Sequence, residues 1–444
     1  MNRFLLRTGV AGALSLGIQL VLPTFAEDPS PQDFSDRTLE AYLDRALEAN
    51  PGLQAFRNRY RAALERVPQA SALPDPMIQA TRFVESIETR NGPQENAVML
   101  NQKLPWFGKL RNRERAATAE AEALGHALRN RQLELIEQVG TGFFEYGYIE
   151  RAVDLTRENL DLLKELEPTV EARVQTGGDL NALLRLKVEI GRLNDRLQSL
   201  GETRATRSAM LRRELALAGD APLPWPEWEA PDSVDPDPGA LLDAMLSSHP
   251  ELRMLERKLD SAAARRELAR LESYPDITLG VQYSQIGDPS GAMSATDGGE
   301  DAWGVTAALN LPIWVGKNRA ARNEAREREQ AVERELADRR HALRSELATA
   351  LSRLEDAQRR LDLYGTELLS LARQAVENSR ASYEGGRTGL LEVIDSERTL
   401  LDLQLQHSRA AADAWKQRII LQTLTDFPME SRSDNPGTPS PASP

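Results

Sequence analysis

The sequence predicts an α+β membrane fold made twice over, with four strands that cannot close a barrel alone and helices far longer than a globular core requires. Three observations carry this. Segments recur in one order at a shift of about 200–209 residues. "NPGLQAFRNRYRAA" from Asn50 returns as "HPELRMLERKLDSA" from His249, and "LPDPMIQATRF" from Leu73 as "YPDITLGVQY" from Tyr274. "LPWFGKL" from Leu104 returns as "LPIWVGK" from Leu311, and "VQTGGDLNALL" from Val174 as "YEGGRTGLLEV" from Tyr383. Self-similarity at a fixed period marks a duplicated unit. Period-2 alternation appears twice in each copy, and long proline-free runs with heptad-like apolar spacing fill the remainder.

Taken in order, residues 1–26 read as a secretory signal: Arg3 and Arg7, an apolar run from Val10 to Leu22, then Thr24-Phe25-Ala26. The first helix–strand–strand–helix repeat covers 27–218, a Pro-rich linker 219–238, the second repeat 239–427, and a tail at 428–444 whose composition predicts disorder. In the second repeat Ile277, Leu279, Val281 and Tyr283 alternate with polar or small residues, as do Trp303, Val305, Ala307, Leu309 and Leu311. Met77 to Glu85 and Ala97 to Leu104 are the counterparts in the first repeat, with polar loops at 87–96 and 287–301. About ten residues is the length of a bilayer-crossing β-strand.

The helices come next. Residues 109–167 and 313–427 lack proline. Ala117, Ala121, Leu124, Leu128, Leu135 and Val139 form one helical seam, and Ala325, Val332, Leu336, Leu343, Leu347 and Leu354 another. Nearly 60 such residues make a rod of roughly 90 Å. Pro168 predicts a kink or break about nine residues before the first helix tip. The dense Arg/Glu surface of 319–360 reads as a solvated face.

Each repeat crosses from strand to helix through the same junction. Pro105 and Pro312 lack an N–H and stop a ladder. Gly108 and Gly316 let the backbone turn. Trp106, Phe107 and Trp314 are bulky aromatics of the kind that sit at a membrane–water boundary, and Lys109 and Lys317 are expected to place charge in water. A soluble hairpin capping a coiled coil is the alternative. Open sheet edges are not tolerated in lipid, and the smallest transmembrane barrels have about eight strands. The chain must therefore oligomerise, and three copies would supply a 12-stranded wall with paired helices continuing below as a tube.

Composition narrows the function. The formal charge is −13 and becomes more acidic without Arg3 and Arg7, which argues against a nucleic-acid partner. There is no cysteine, hence no disulfide framework or thiolate site. His126, His249, His341 and His407 lack metal-ligand spacing, and the methionines do not cluster. No nucleophile motif, phosphate loop or catalytic acid–base pair is evident, so neither an enzyme nor a cofactor is expected.

With these residues in view, the sequence resembles the TolC-like outer-membrane efflux proteins from about Leu39 to Leu424. The carriers are the duplicated order, "NPGL", "LPDP", "LPWFGK" and, most specifically, "ASYEGGRTGLLEVIDSERTLLDLQL". "LPWFGKL" is similar to the heavy-metal branch (copper/silver or cobalt-zinc-cadmium). The resemblance implies a homotrimer with a 12-stranded outer-membrane β-barrel in outer-membrane lipid and a periplasmic α-helical barrel. It also implies a membrane-fusion adaptor and an inner-membrane pump of RND type, the chain itself being a passive exit duct for small solutes. A periplasmic coiled-coil adaptor or scaffold, and a duct for type I protein secretion, are the alternatives. The resemblance further implies a periplasmic gate at Tyr383, Arg387, Glu392 and Asp395. Glu392 and Asp395, three apart, share a helix face, and threefold repetition would ring a constriction with carboxylates. Arg387 falls one position before the family's arginine, and Leu183 stands where its acidic partner falls. Gly177, Gly178, Gly385 and Gly386 are read as tight tip turns and, with Asp179, as the adaptor-docking ends.

Overall fold

In the computed structural model, residues 34–219, 223–288 and 299–425 are described; the expected signal, the tail beyond 425 and most of the 287–301 loop lie outside them. The first repeat runs α1 (Leu39–Ala49), α2 (Pro51–Leu64), α3 (Arg66–Ser71), β1 (Met77–Thr89), β2 (Gly92–Leu104), α4 (Lys109–Gln175) and α5 (Leu180–Glu214). The second runs α6 (Pro238–Ser248), α7 (Pro250–Leu271), β3 (Ile277–Ile286), β4 (Ala302–Leu309), α8 (Val315–Asp362), α9 (Leu369–Glu384) and α10 (Leu390–Thr425), with a π-helical segment, Leu363–Leu368, between α8 and α9. The duplication extends to the caps. Asn50 accepts from Leu53 N at 3.0 Å with Pro51 opening α2, and His249 Nδ1 accepts from Glu251 N at 3.2 Å with Pro250 opening α7.

The strands form one antiparallel sheet in the order β1-β2-β3-β4, leaving β1 and β4 as edges. Its registers put Ile78, Leu100, Val281 and Val305 in one row and Ala80, Val98, Tyr283 and Trp303 in the next on the same face. The opposite face carries Gln79, Met99, Gln282 and Gly304, then Met77, Asn101, Gly280 and Thr306. One face is thus apolar and the other, apart from Met77 and Met99, polar or small, the alternation of a barrel wall between lipid and water.

Two expectations need correction. The loop at 87–96 is mostly strand: β1 and β2 run 13 residues each and turn at Arg90–Asn91. Gln94 and Asn96 are half-buried and both pair with β3, where Gln94 Nε2 donates to Ser284 Oγ at 3.1 Å and Asn96 Nδ2 to Gln285 Oε1 at 2.8 Å. Pro168 does not break α4, a 67-residue helix that carries it inside. Pro168 is exposed, so water can serve the carbonyl that its missing N–H leaves free. The Pro-rich linker is an ordered strap over its described part. Tyr146 donates to Leu223 O at 3.0 Å, Tyr42 to Pro224 O at 3.1 Å, Arg37 Nε to Trp225 O at 2.7 Å, and Trp415 Nε1 to Glu229 O at 2.7 Å.

Two apolar clusters hold the helices. Leu155, Leu163, Leu186, Leu193, Val393 and Leu401 join α4, α5 and α10 toward the tips. Met245, Leu252, Leu343, Leu347, Leu354 and Leu421 join α6, α7, α8 and α10. The predicted seam of α8 is buried from Leu336 onward, while Ala325 and Val332 nearer its start are only half-buried. No helix among the described residues is long and apolar enough to cross a membrane.

Candidate functional site

Two regions matter: the junctions where the sheet meets the helices, and the helix tips.

At the first junction Gly108 sits at φ 87°, so the left-handed turn was legible, but the expected fate of Lys109 was not. Lys109 is 1% exposed. Its Nζ donates to Asp276 Oδ1 at 2.7 Å and Tyr274 O at 2.9 Å, with Glu272 at 3.5 Å. Lys103 Nζ lies 3.0 Å from Asp276 Oδ2, and Trp106 N donates to Asp276 Oδ1 at 3.0 Å. Trp106 stacks on Tyr274 at 5.6 Å and 14°. Burial alone would push the Asp276 carboxyl up; the hydrogen bonds from Lys109, Lys103 and Trp106 outweigh it and hold it at about 2. The charge expected in water instead ties the first repeat to the second, because Asp276 reaches it from the start of β3. Phe107 is 83% exposed.

The second junction differs. Trp314 is 71% exposed and Lys317 is exposed in the single chain. Gly316 is not the turning residue: it lies in the first turn of α8 and has no positive φ. The turn is made earlier, where Ile313 N donates to Leu311 O and Val315 N to Ile313 O, each at 2.9 Å. The extra residue after Pro312 gives room for these two tight turns.

At the tips, Gly177 (φ 100°) and Gly386 (φ 71°) adopt the left-handed conformation, whereas Gly385 is right-handed and needs no glycine for its φ. A Cβ on Gly178 would lie 2.8 Å from Arg173 O. Asp179 caps α5 by accepting from Asn181 N at 2.9 Å. Tyr383 lies at the end of α9, Arg387 in the turn, and Glu392 and Asp395 at the start of α10. Arg387 N donates to Ser382 O at 2.8 Å. Glu392 and Asp395 are exposed on the first turns of α10 and take part in no ion pair among the described residues. Leu183 packs with Tyr383 against the apolar cluster, so its position supplies no carboxylate. The partner of Tyr383 is instead Arg173, whose guanidinium lies 4.5 Å from the ring centre. Sequence reading missed Arg173, which carries no motif and meets Tyr383 only through packing of the two tips. It also missed the joint of Lys103, Tyr274 and Asp276, although the recurring "LPD" and "YPD" marked the aspartate.

A third polar centre lies mid-helix. Glu145 accepts from Arg409 Nη1 and Lys416 Nζ, each at 2.9 Å. Burial pushes its carboxyl up, and these hydrogen bonds overcome that and lower it below the usual range. Among the described residues no cluster of three or more His, Asp or Glu could hold a metal.

The model of the outer membrane efflux protein family matches residues 42–185 and 241–425, one block in each repeat. The chain belongs to this family. It is an outer-membrane efflux channel, and the polar and apolar faces of its sheet are those of a barrel wall. The cobalt-zinc-cadmium resistance protein CzcC of Cupriavidus metallidurans is 24% identical over 375 residues, covering 83% of this chain and 85% of that one. The toluene efflux pump outer membrane protein TtgI of Pseudomonas putida is 26% identical, covering 84% and 80%. The cation efflux system protein CusC of Escherichia coli is 26% identical, covering 83% and 81%. A crystal structure of CusC superposes with a TM-score of 0.75 at 20% identity, covering 91% of this chain and 95% of that one. The adaptor or scaffold alternative is thereby set aside.

Proposed function

We propose that three copies of the chain close a 12-stranded barrel whose lumen continues between the long helices, forming the passive exit duct of a tripartite pump that expels heavy-metal cations. The observation that carries this reading is the two-faced, four-stranded sheet with both edges open. Four strands are half of the smallest closed barrel, and an open edge in lipid leaves backbone groups unpaired. Three copies remove every edge. The tips at Gly177 to Asp179 and Gly385 to Gly386 are the docking ends for a periplasmic membrane-fusion adaptor, and the energy comes from an inner-membrane pump of RND type.

Cations are the favoured cargo because Glu392 and Asp395 are exposed carboxylates with no counter-ion among the described residues, and three copies would gather six of them at the gate. CzcC and CusC support the same cargo, whereas the equal likeness to TtgI supports organic solvents. A deletion strain challenged with copper, silver, zinc, cobalt and cadmium, and in parallel with toluene, drugs and bile salts, separates them. Sensitivity to metals alone is expected. Sensitivity to solvents or drugs alone refutes the cation cargo, and sensitivity to neither directs the search to protein export.

A further inference from the structure

The joint between the repeats has a second, unfilled copy. Inside the chain, the end of one unit (β2, "LPWFGK") meets the start of the next ("YPD", β3): Leu104 lies opposite Ile277, and Lys109 is buried against Asp276. The second unit ends in the same way (β4, "LPIWVGK"), and the first begins in the same way ("LPD", β1). These two ends are the sheet's edges. Lys317 and Asp75, the counterparts of Lys109 and Asp276, are both exposed, and neither takes part in an ion pair among the described residues. Leu73, the counterpart of Tyr274, is 50% exposed, and Leu311 and Trp314 are each 71% exposed.

The repetition is selective. Arg113–Glu272, Arg257–Glu122 and Arg265–Glu120 also bridge α4 to α7 or to the residue just after it. Their counterparts under the repeat are Ala321 with Ser71, Asn58 with Gln330, and Arg66 with Arg328, none of them complementary. The buried lysine–aspartate pair is the one that recurs as a lysine and an aspartate.

We infer that successive copies of the chain are joined by this same joint, with β4 of one copy antiparallel to β1 of the next and Lys317 buried in an ion pair with Asp75 of the partner subunit. The inference rests on the trimeric reading and adds its register. Transferring the β2–β3 register places Leu309 opposite Ile78, Ala307 opposite Ala80 and Trp303 opposite Val84. The apolar face then continues across the seam, interrupted by Arg82 opposite Val305. A slip of one residue would turn β1's apolar side chains to the lumen. Because the second junction is one residue longer and α8 begins at Val315, Lys317 reaches the seam as the third residue of its helix, where Lys109 is the first of α4.

Two experiments on the full-length protein in outer membranes test this. The native chain has no cysteine, so engineered thiols report without background. Leu309→Cys with Ile78→Cys is expected to link copies on oxidation, since directly opposed Cα atoms lie about 4.5–5.5 Å apart, within disulfide reach; Leu309→Cys with Gln79→Cys is not. Lys317→Asp and Asp75→Lys singly are expected to speed dissociation of the detergent-extracted trimer about tenfold or more, and the double reversal to restore it. Trimers that link through Gln79→Cys, or that tolerate each single reversal like wild type, overturn the joint while leaving the trimer standing. A wild-type protein that is monomeric overturns the trimer and the joint together.

Discussion

Replacing Lys109 by Met tests whether the repeats are locked through one buried charge pair. In wild type the Asp276 side chain is 8% exposed and its carboxyl is held at about 2 against an ordinary 3.8. That difference corresponds to about 2 kcal/mol of stability at neutral pH. Lys109→Met removes the strongest of three hydrogen bonds but leaves Lys103 at 3.0 Å, so the expected loss is about 2–3 kcal/mol. Asp276→Leu is worse, about 3–5 kcal/mol, because it strands a lysine that is 1% exposed with Tyr274 O and the more distant Glu272. The double variant Lys109→Met/Asp276→Leu is expected to lose only about 1 kcal/mol, since neither charge is left orphaned. The assay is urea-driven unfolding in lipid vesicles, read as a double-mutant cycle. The pH dependence has a definite sign. A carboxyl with a depressed folded value stabilises above its ordinary value and loses that contribution as the pH falls through about 2, so wild type weakens more steeply between about pH 4 and 2 than Asp276→Leu, which keeps only the acid loss of other carboxylates such as Glu145. Additive losses in the cycle, or a Lys109→Met variant as stable as wild type, would refute the lock.

Other consequences follow from the same geometry. A Cβ on Gly147 would lie 2.3 Å from Trp228 Nε1, so Gly147→Ala is expected to displace the strap at a cost of about 1–3 kcal/mol, seen as faster proteolysis between 223 and 237. Gly177→Val forces a branched side chain to φ 100° at the α4–α5 tip, with an expected cost of about 1–2 kcal/mol and weaker capture of the purified adaptor. Glu392→Ala with Asp395→Ala is expected to lower cation selectivity in planar-bilayer conductance; unchanged selectivity refutes a gate role for the pair.

Much of this was readable because it is local. Period-2 alternation located β3 and β4, proline-free runs located α4 and α8, and the recurring Pro-aromatic-Gly-Lys segment located the junctions. What sequence reading missed depends on partners far along the chain. Lys109 looks like a solvated residue until Asp276, from the second repeat, folds beside it. β1 and β2 exceed their apolar pattern because Gln94 and Asn96 sit in the ladder by backbone pairing, which polar side chains do not advertise. The strap reads as a linker by its prolines, yet it holds Trp225 and Trp228, and two tryptophans in so short a run are a packing signal. The π-helical segment at Leu363–Leu368 has a faint marker in Gly365, where a Cβ would come within 3.0 Å of His407 Nε2. The candidate gate was half legible: the "YEGG" turn located Tyr383, but Arg173 meets it only through packing of the two tips.

The most direct test of the central claim is the mass of the complex extracted intact from the outer membrane, measured by native mass spectrometry in detergent. A duct walled by this chain requires three copies, each giving four strands. Three chains per particle is the predicted result; a single chain in the particle, with both sheet edges open to detergent, would contradict the account.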